Sequence, residues 1–143
     1  MTAQKLETKT TLVNDRVRFS GRARNNPSVQ MDYFPPFGDG DGYTGLEMLL
    51  LSLSGCSCTA IKVLLQKMDK TVEGLTVEAS GTRQEAAPYG FSRIDLMYTL
   101  TSPDAEDADF EKAIRLAETS MCPVWAMLKG NVEIVENHLL IKA

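Results

Sequence analysis

The stretch LEMLLLSLSGCSCTAIKVLLQKM, from Leu46 to Met68, is apolar at nearly every position around a helix. A helix with so little polar surface must be covered on most of its faces, so the rest of the chain has to supply that cover. Its start is marked by Thr44-Gly45-Leu46-Glu47. There the Thr hydroxyl can accept from the N–H three residues on, and the Glu carboxylate can reach back to the Thr N–H. From Ser52 to Ala60, eight of nine side chains are small, Leu53 being the exception. Small side chains let a second backbone approach closely. Glu47 and Lys62 leave only fourteen uncharged residues between them, fewer than the roughly 18 a membrane span requires. A buried core helix and no membrane partner are expected.

The remaining composition bounds the chemistry. With 143 residues, 43% apolar and 24% charged, the chain has the make-up of a single soluble domain over residues 1–143. The net charge is −4 and Lys and Arg are scattered, which argues against a nucleic-acid partner. Three cysteines (Cys56, Cys58, Cys122) and one histidine (His138) are the scarce reactive groups. They suit sulfur chemistry better than zinc, and neither a metal nor a cofactor is expected. The opening residues lack an apolar signal core, and an odd cysteine count suits free thiols in a reducing compartment. A cytoplasmic protein is therefore expected.

Turn chemistry and periodicity divide the chain into an α+β pattern. Residues 6–34 alternate β-branched residues with breaks at Asn14-Asp15 and Asn25-Asn26-Pro27, which predicts a three-stranded meander. The loop PPFGDGDGYTG follows. It is long enough to be functional, but it lacks the spacing and closing Glu of a calcium loop. Beyond the long helix, LTVEASGTRQE and FSRIDLMYTLTS form a hairpin joined by the five residues Ala86 to Gly90, with Ile94, Leu96, Tyr98 and Leu100 facing inward. Phe110, Ala113, Ile114, Ala117 and Met121 recur at helical spacing and predict an amphipathic helix with all five on its buried stripe. The break at Cys122-Pro123 opens a short helix that ends before Gly130, and a final strand or hairpin spans residues 132–143.

The cysteines differ in setting. With Pro123 at the first helical position, Cys122 is an N-cap, where orphan N–H groups and the helix dipole favour a thiolate. A lowered pKa is the expectation, set against an inert buried cysteine. Cys56 and Cys58 stand about 200° apart around their helix and cannot bridge. Cys56 shares a stripe with Ser52, Thr59, Ala60 and Val63, and Cys58 with Leu51, Ser54, Ile61 and Lys62. Spacing alone does not rank the two. His138 falls beside a predicted turn, away from any Ser or Cys in sequence, and is not expected to act as a base.

Taken in order, these features resemble the OsmC/Ohr family of osmotically inducible protein C and the organic hydroperoxide resistance proteins. They are a meander, a Gly-rich loop, LEMLLLSLSGC with its Glu nine residues before a Gly-Cys, a hairpin, and a late MCPV. The Lys-rich end of the long helix resembles the YhfA-like branch. The resemblance implies an intertwined homodimer and a thiol peroxidase acting on organic hydroperoxides, with Cys56 peroxidatic, Cys122 resolving, and a dithiol reductant, small-molecule or lipoyl-type. Glu47 matches the family Glu that holds an activating arginine. Arg16, in Asn14-Asp15-Arg16, is the nearest match for that arginine, with Arg18 and Arg22 as competitors. Phe34, Phe37, Tyr43 and Trp125 would line an apolar substrate pocket or fill an interface core. Two other readings stand beside this one: a redox-sensing or small-molecule-binding dimer that keeps the fold without turnover, and a persulfide carrier using Cys122.

Overall fold

A computed structural model describes residues 3–143. They fall into two compact units, one ending at Met48 and the other running from Leu49 to Ala143.

In the first unit, β1 (Lys9–Leu12), β2 (Phe19–Arg22) and β3 (Val29–Met31) form the expected antiparallel meander. Leu12 pairs with Phe19 and Phe19 with Met31. The Gly-rich loop is organised by a buried carboxylate: Asp32 accepts from the N–H groups of Tyr33 at 2.8 Å, Asp41 at 3.1 Å and Asp39 at 3.2 Å. Burial acts to raise the Asp32 pKa, but these three N–H donors and the Arg18 charge together hold it below the usual carboxylate range. Gly38 is required by crowding, since a Cβ there would lie 2.3 Å from Asp32 Oδ1 and from the Tyr33 carbonyl oxygen. No apolar side chain before Leu53 is buried among the described residues. Leu12, Phe19, Val29, Phe34, Phe37 and Tyr43 are all exposed. A three-stranded sheet of this kind lacks a core of its own.

Helix α1 (Gly45–Lys67) starts where its sequence signature placed it. The Thr44 N–H donates to Glu47 Oε1 at 2.9 Å and the Glu47 N–H donates to Thr44 Oγ1 at 3.2 Å, completing the reciprocal cap. Contrary to expectation, only one stripe of α1 is buried: Leu53, Ser57, Ala60, Ile61 and Leu65. Leu51 is half-exposed, as is much of the outer face. By length and composition α1 is also long and apolar enough to cross a membrane, although Glu47 and Lys62 lie within it.

The second unit is a three-stranded sheet in the order β4 (Gly74–Arg83), β5 (Phe91–Ser102), β6 (Glu133–Lys142). β4 and β5 are the predicted hairpin, although the connection runs over residues 84–90 rather than five. Ile94, Leu96, Tyr98 and Leu100 are all buried, as the alternation predicts. The buried Tyr98 hydroxyl donates to Ser57 Oγ at 2.6 Å, tying α1 to the sheet. The final segment is one strand, β6, parallel to β5. Parallel pairing needs a crossover, and α2 (Asp107–Leu116), a π-helical turn (Ala117–Met121) and α3 (Pro123–Leu128) provide it. His138 is therefore in mid-strand rather than beside a turn. Its ring meets Phe110 edge-on at 5.3 Å, and Nε2 lies 3.2 Å from Asp107 Oδ1, so it pins α2 to the sheet.

Candidate functional site

Cys56 lies half-buried in the middle of α1. It opens onto a cavity of about 300 Å³ lined by Cys56, Thr59, Ala60, Val63, Met121 and Pro123. The first four are neighbours at helical spacing along α1. The last two come from the Cys-Pro break and were not anticipated. No ionisable side chain other than the Cys56 thiol is among the lining residues.

Cys122 is the N-cap of α3, as predicted, with Pro123 at the first helical position. Its Sγ accepts from the Trp125 N–H at 3.4 Å. The cap does not produce the lowered pKa that the sequence suggested. Cys122 is only 2% exposed, and burial, with the neighbouring Cys56 adding to it, pushes the thiol up to about 11. The N–H groups of Trp125 and Val124 pull the other way and are outweighed. Cys56 lies close enough to act on the Cys122 thiol and to oppose its ionisation. At pH 8 only about one Cys122 in a thousand is a thiolate. Iodoacetamide labelling of Cys122, followed by peptide mass analysis, is expected to stay slow through pH 9 and to accelerate only as pH approaches 11.

Cys58 lies outside the cavity, and burial raises its thiol pKa. It sits close enough to Tyr98, as Cys122 does, for their charges to oppose ionisation of the phenol. Burial has already pushed that phenol well above its ordinary value. Tyr98 thus serves as a permanent O–H donor to Ser57.

The other predicted site residues are placed as follows. Glu47 caps α1 through Thr44, and among the described residues no arginine pairs with it. Arg16 donates to Asp39 and to the Pro36 carbonyl, Arg18 to Asp41, and Arg22 to the Asn26 carbonyl at 2.7 Å. Phe34, Phe37 and Tyr43 are exposed in the first unit, where Phe34 and Phe37 both lie against the Tyr33 ring. Trp125 is 1% exposed and belongs to the core of the second unit, not to the lining of the Cys56 cavity. The carboxylate oxygens of Asp32, Asp39 and Asp41 lie within 4.8 Å of one another, the spacing a metal would use. They already serve Arg16, Arg18 and backbone N–H groups, which makes them the frame of a loop.

Comparison with known proteins identifies this arrangement. The family model of OsmC-like protein matches residues 38–137. Protein YhfA of Escherichia coli K12 is 32% identical over 98 residues, covering 68% of this chain and 73% of that protein. Among solved structures, the OsmC-like protein of Mycoplasma pneumoniae superposes with a TM-score of 0.84 at 19% identity, covering 98% of this chain and 99% of that one. The organic hydroperoxide resistance protein OhrB of Bacillus subtilis gives 0.64 at 13% identity, with 95% and 98% coverage. At these identities the two structures establish the fold alone.

Proposed function

The chain belongs to the OsmC-like protein family, and on that premise we propose that it is a thiol-dependent peroxidase that reduces organic hydroperoxides through Cys56 and Cys122. One observation carries the reading: the Cys56 thiol opens onto an apolar cavity, and the buried Cys122 thiol, near enough for Cys56 to oppose its ionisation, is held protonated.

The chemistry assigns unequal roles. The Cys56 thiolate attacks the distal oxygen of R–O–OH, and the O–O bond breaks. The departing alkoxide takes a proton and leaves as the alcohol, and Cys56 becomes a sulfenic acid. The Cys122 sulfur then attacks the Cys56 sulfur. The Cys122 proton and the sulfenic hydroxyl leave as water, and a disulfide forms. A small-molecule or lipoyl-type dithiol returns both cysteines to thiols by two exchanges, itself ending as a disulfide. The apolar wall of Ala60, Val63, Met121 and Pro123 suits the alkyl group, at the lower end of ligand-pocket volumes. Arg16 is our assignment for the charge that stabilises the thiolate, a role that requires it to exchange its Asp39 and Pro36 partners for the sulfur, while Glu47 stays on the Thr44 cap. A fixed guanidinium suits that task.

We assign the working form as a cytoplasmic homodimer. A first unit with no buried apolar side chain among its described residues and the uncovered outer face of α1 both call for apolar cover. A second copy supplies it without lipid, and the net charge of −4 disfavours nucleic acid. A persulfide carrier would need Cys122 accessible and ionised, and it is neither.

Steady-state turnover tests the reading. With tert-butyl hydroperoxide, dihydrolipoamide is expected to sustain consumption at least about tenfold faster than an equal thiol concentration of a monothiol, because the second exchange is intramolecular. Failure of every dithiol to support consumption above the protein-free rate would overturn it.

A further inference from the structure

Met121 does not sit where its sequence pattern puts it. An uninterrupted α-helix would place it four residues after the buried Ala117, on the same inward stripe as Phe110, Ala113 and Ile114. Instead the last turn is π-helical over Ala117–Met121, closed by the Cys122 N–H donating to the Ala117 carbonyl five residues back at 2.9 Å. A π turn holds one residue more than an α turn and is frequent at functional sites. Here it turns Met121 out of the core, 42% exposed, into the wall of the Cys56 cavity. Met127, by contrast, is 76% exposed and does not line that cavity.

Resting on the peroxidase reading, we propose that Met121 is a second oxidation site of this cavity. Its thioether takes oxygen from a bound alkyl hydroperoxide once the Cys56–Cys122 pair is spent, and it then restrains further turnover. The step is balanced. The Met121 sulfur attacks the distal peroxide oxygen, an S–O bond forms and the O–O bond breaks. The hydroperoxide proton passes to the leaving alkoxide, giving methionine sulfoxide and the alcohol. Sulfur loses two electrons and the peroxide gains them.

While Cys56 is a thiolate it outcompetes the neutral thioether. In the disulfide no thiolate is left, and Met121 is the one lining side chain with a nucleophilic sulfur still available. Oxidation converts a flexible apolar side chain into a polar one. In an apolar wall this weakens binding of the next alkyl group until the sulfoxide is reduced.

The order of methionine oxidation separates this from simple exposure. The full-length wild-type protein is treated with excess tert-butyl hydroperoxide without reductant and followed by peptide mass mapping. Met121 sulfoxide is expected to form after the disulfide and about fivefold or more faster than Met127 sulfoxide. After dithiol is restored, wild type recovers only a fraction of its own initial rate, with activity returned by methionine sulfoxide reductase. Met121→Leu recovers its own initial rate in full. Oxidation of Met127 ahead of Met121, as exposure alone dictates, would overturn the inference while leaving the peroxidase reading intact. Absence of the disulfide would instead count against the peroxidase reading.

Discussion

Replacing Cys56 with Ser is expected to reduce the rate of tert-butyl hydroperoxide consumption by at least about 10³-fold, because the variant loses the thiolate that makes the first bond. The size of the loss follows from the state of the thiol left behind. Cys122 is buried and its pKa is pushed up to about 11, so at pH 7 only about one molecule in 10⁴ carries it as a thiolate. It cannot substitute for Cys56 as the attacking group. Cys122→Ser gives a different result. Cys56 still reacts, but its sulfenic acid has no partner and accumulates, where a dimedone adduct detects it by mass. Cys58→Ser is expected to leave the rate within about twofold, since Cys58 lines no part of the cavity and burial disfavours its thiolate. If Cys58→Ser rather than Cys56→Ser abolished consumption, the assignment of the two α1 cysteines would be reversed.

Trp125→Ala is expected to destabilise the protein by about 3–5 kcal/mol, the usual result of emptying a large aromatic core site. Against a total stability of order 5–15 kcal/mol, that moves a urea midpoint by a large fraction or leaves the variant unfolded. Trp125 is the largest fully buried side chain, and its backbone N–H also caps the Cys122 sulfur. Far-UV circular dichroism is the appropriate probe, because Trp125 is the only tryptophan and fluorescence is lost with it. The same variant distinguishes the two roles its position suggested. A pocket-lining Trp would raise KM for the hydroperoxide and spare the fold, whereas a core Trp lowers stability first. Trp125→Phe, which keeps most of the volume, is expected to fall between wild type and Trp125→Ala in urea midpoint.

The features that could be read from sequence are those set by near neighbours. The Thr44–Glu47 cap spans four residues, the alternation of Ile94, Leu96, Tyr98 and Leu100 is a property of one strand, and Cys122 as N-cap follows from Pro123. What escaped depends on contacts distant in sequence. The N-cap argument for a low Cys122 pKa was sound locally but lost to burial and to Cys56, 66 positions earlier. The outer face of α1 is exposed because its hydrophobicity exceeds what its own unit covers. The parallel register of β6, which puts His138 opposite Tyr98, had no signal in the strand itself.

Met121 illustrates the site in miniature. Its spacing fits a core stripe, and only the five-residue bond from Cys122 to Ala117 turns it towards Cys56. The arginines show the opposite case. Arg16, Arg18 and Arg22 were candidates by position, yet each finds its partners within the first unit, in Asp39, Asp41 and the Asn26 carbonyl.

The central claim is that Cys56 attacks and Cys122 resolves. The most direct measurement is to add one equivalent of tert-butyl hydroperoxide to the fully reduced protein, quench with an alkylating agent within seconds, and map the oxidised cysteines by non-reducing peptide mass analysis. The account predicts a Cys56–Cys122 disulfide, with Cys58 recovered as an alkylated thiol. Recovery of Cys56 as a free thiol while hydroperoxide is consumed, or a disulfide that includes Cys58, would contradict it.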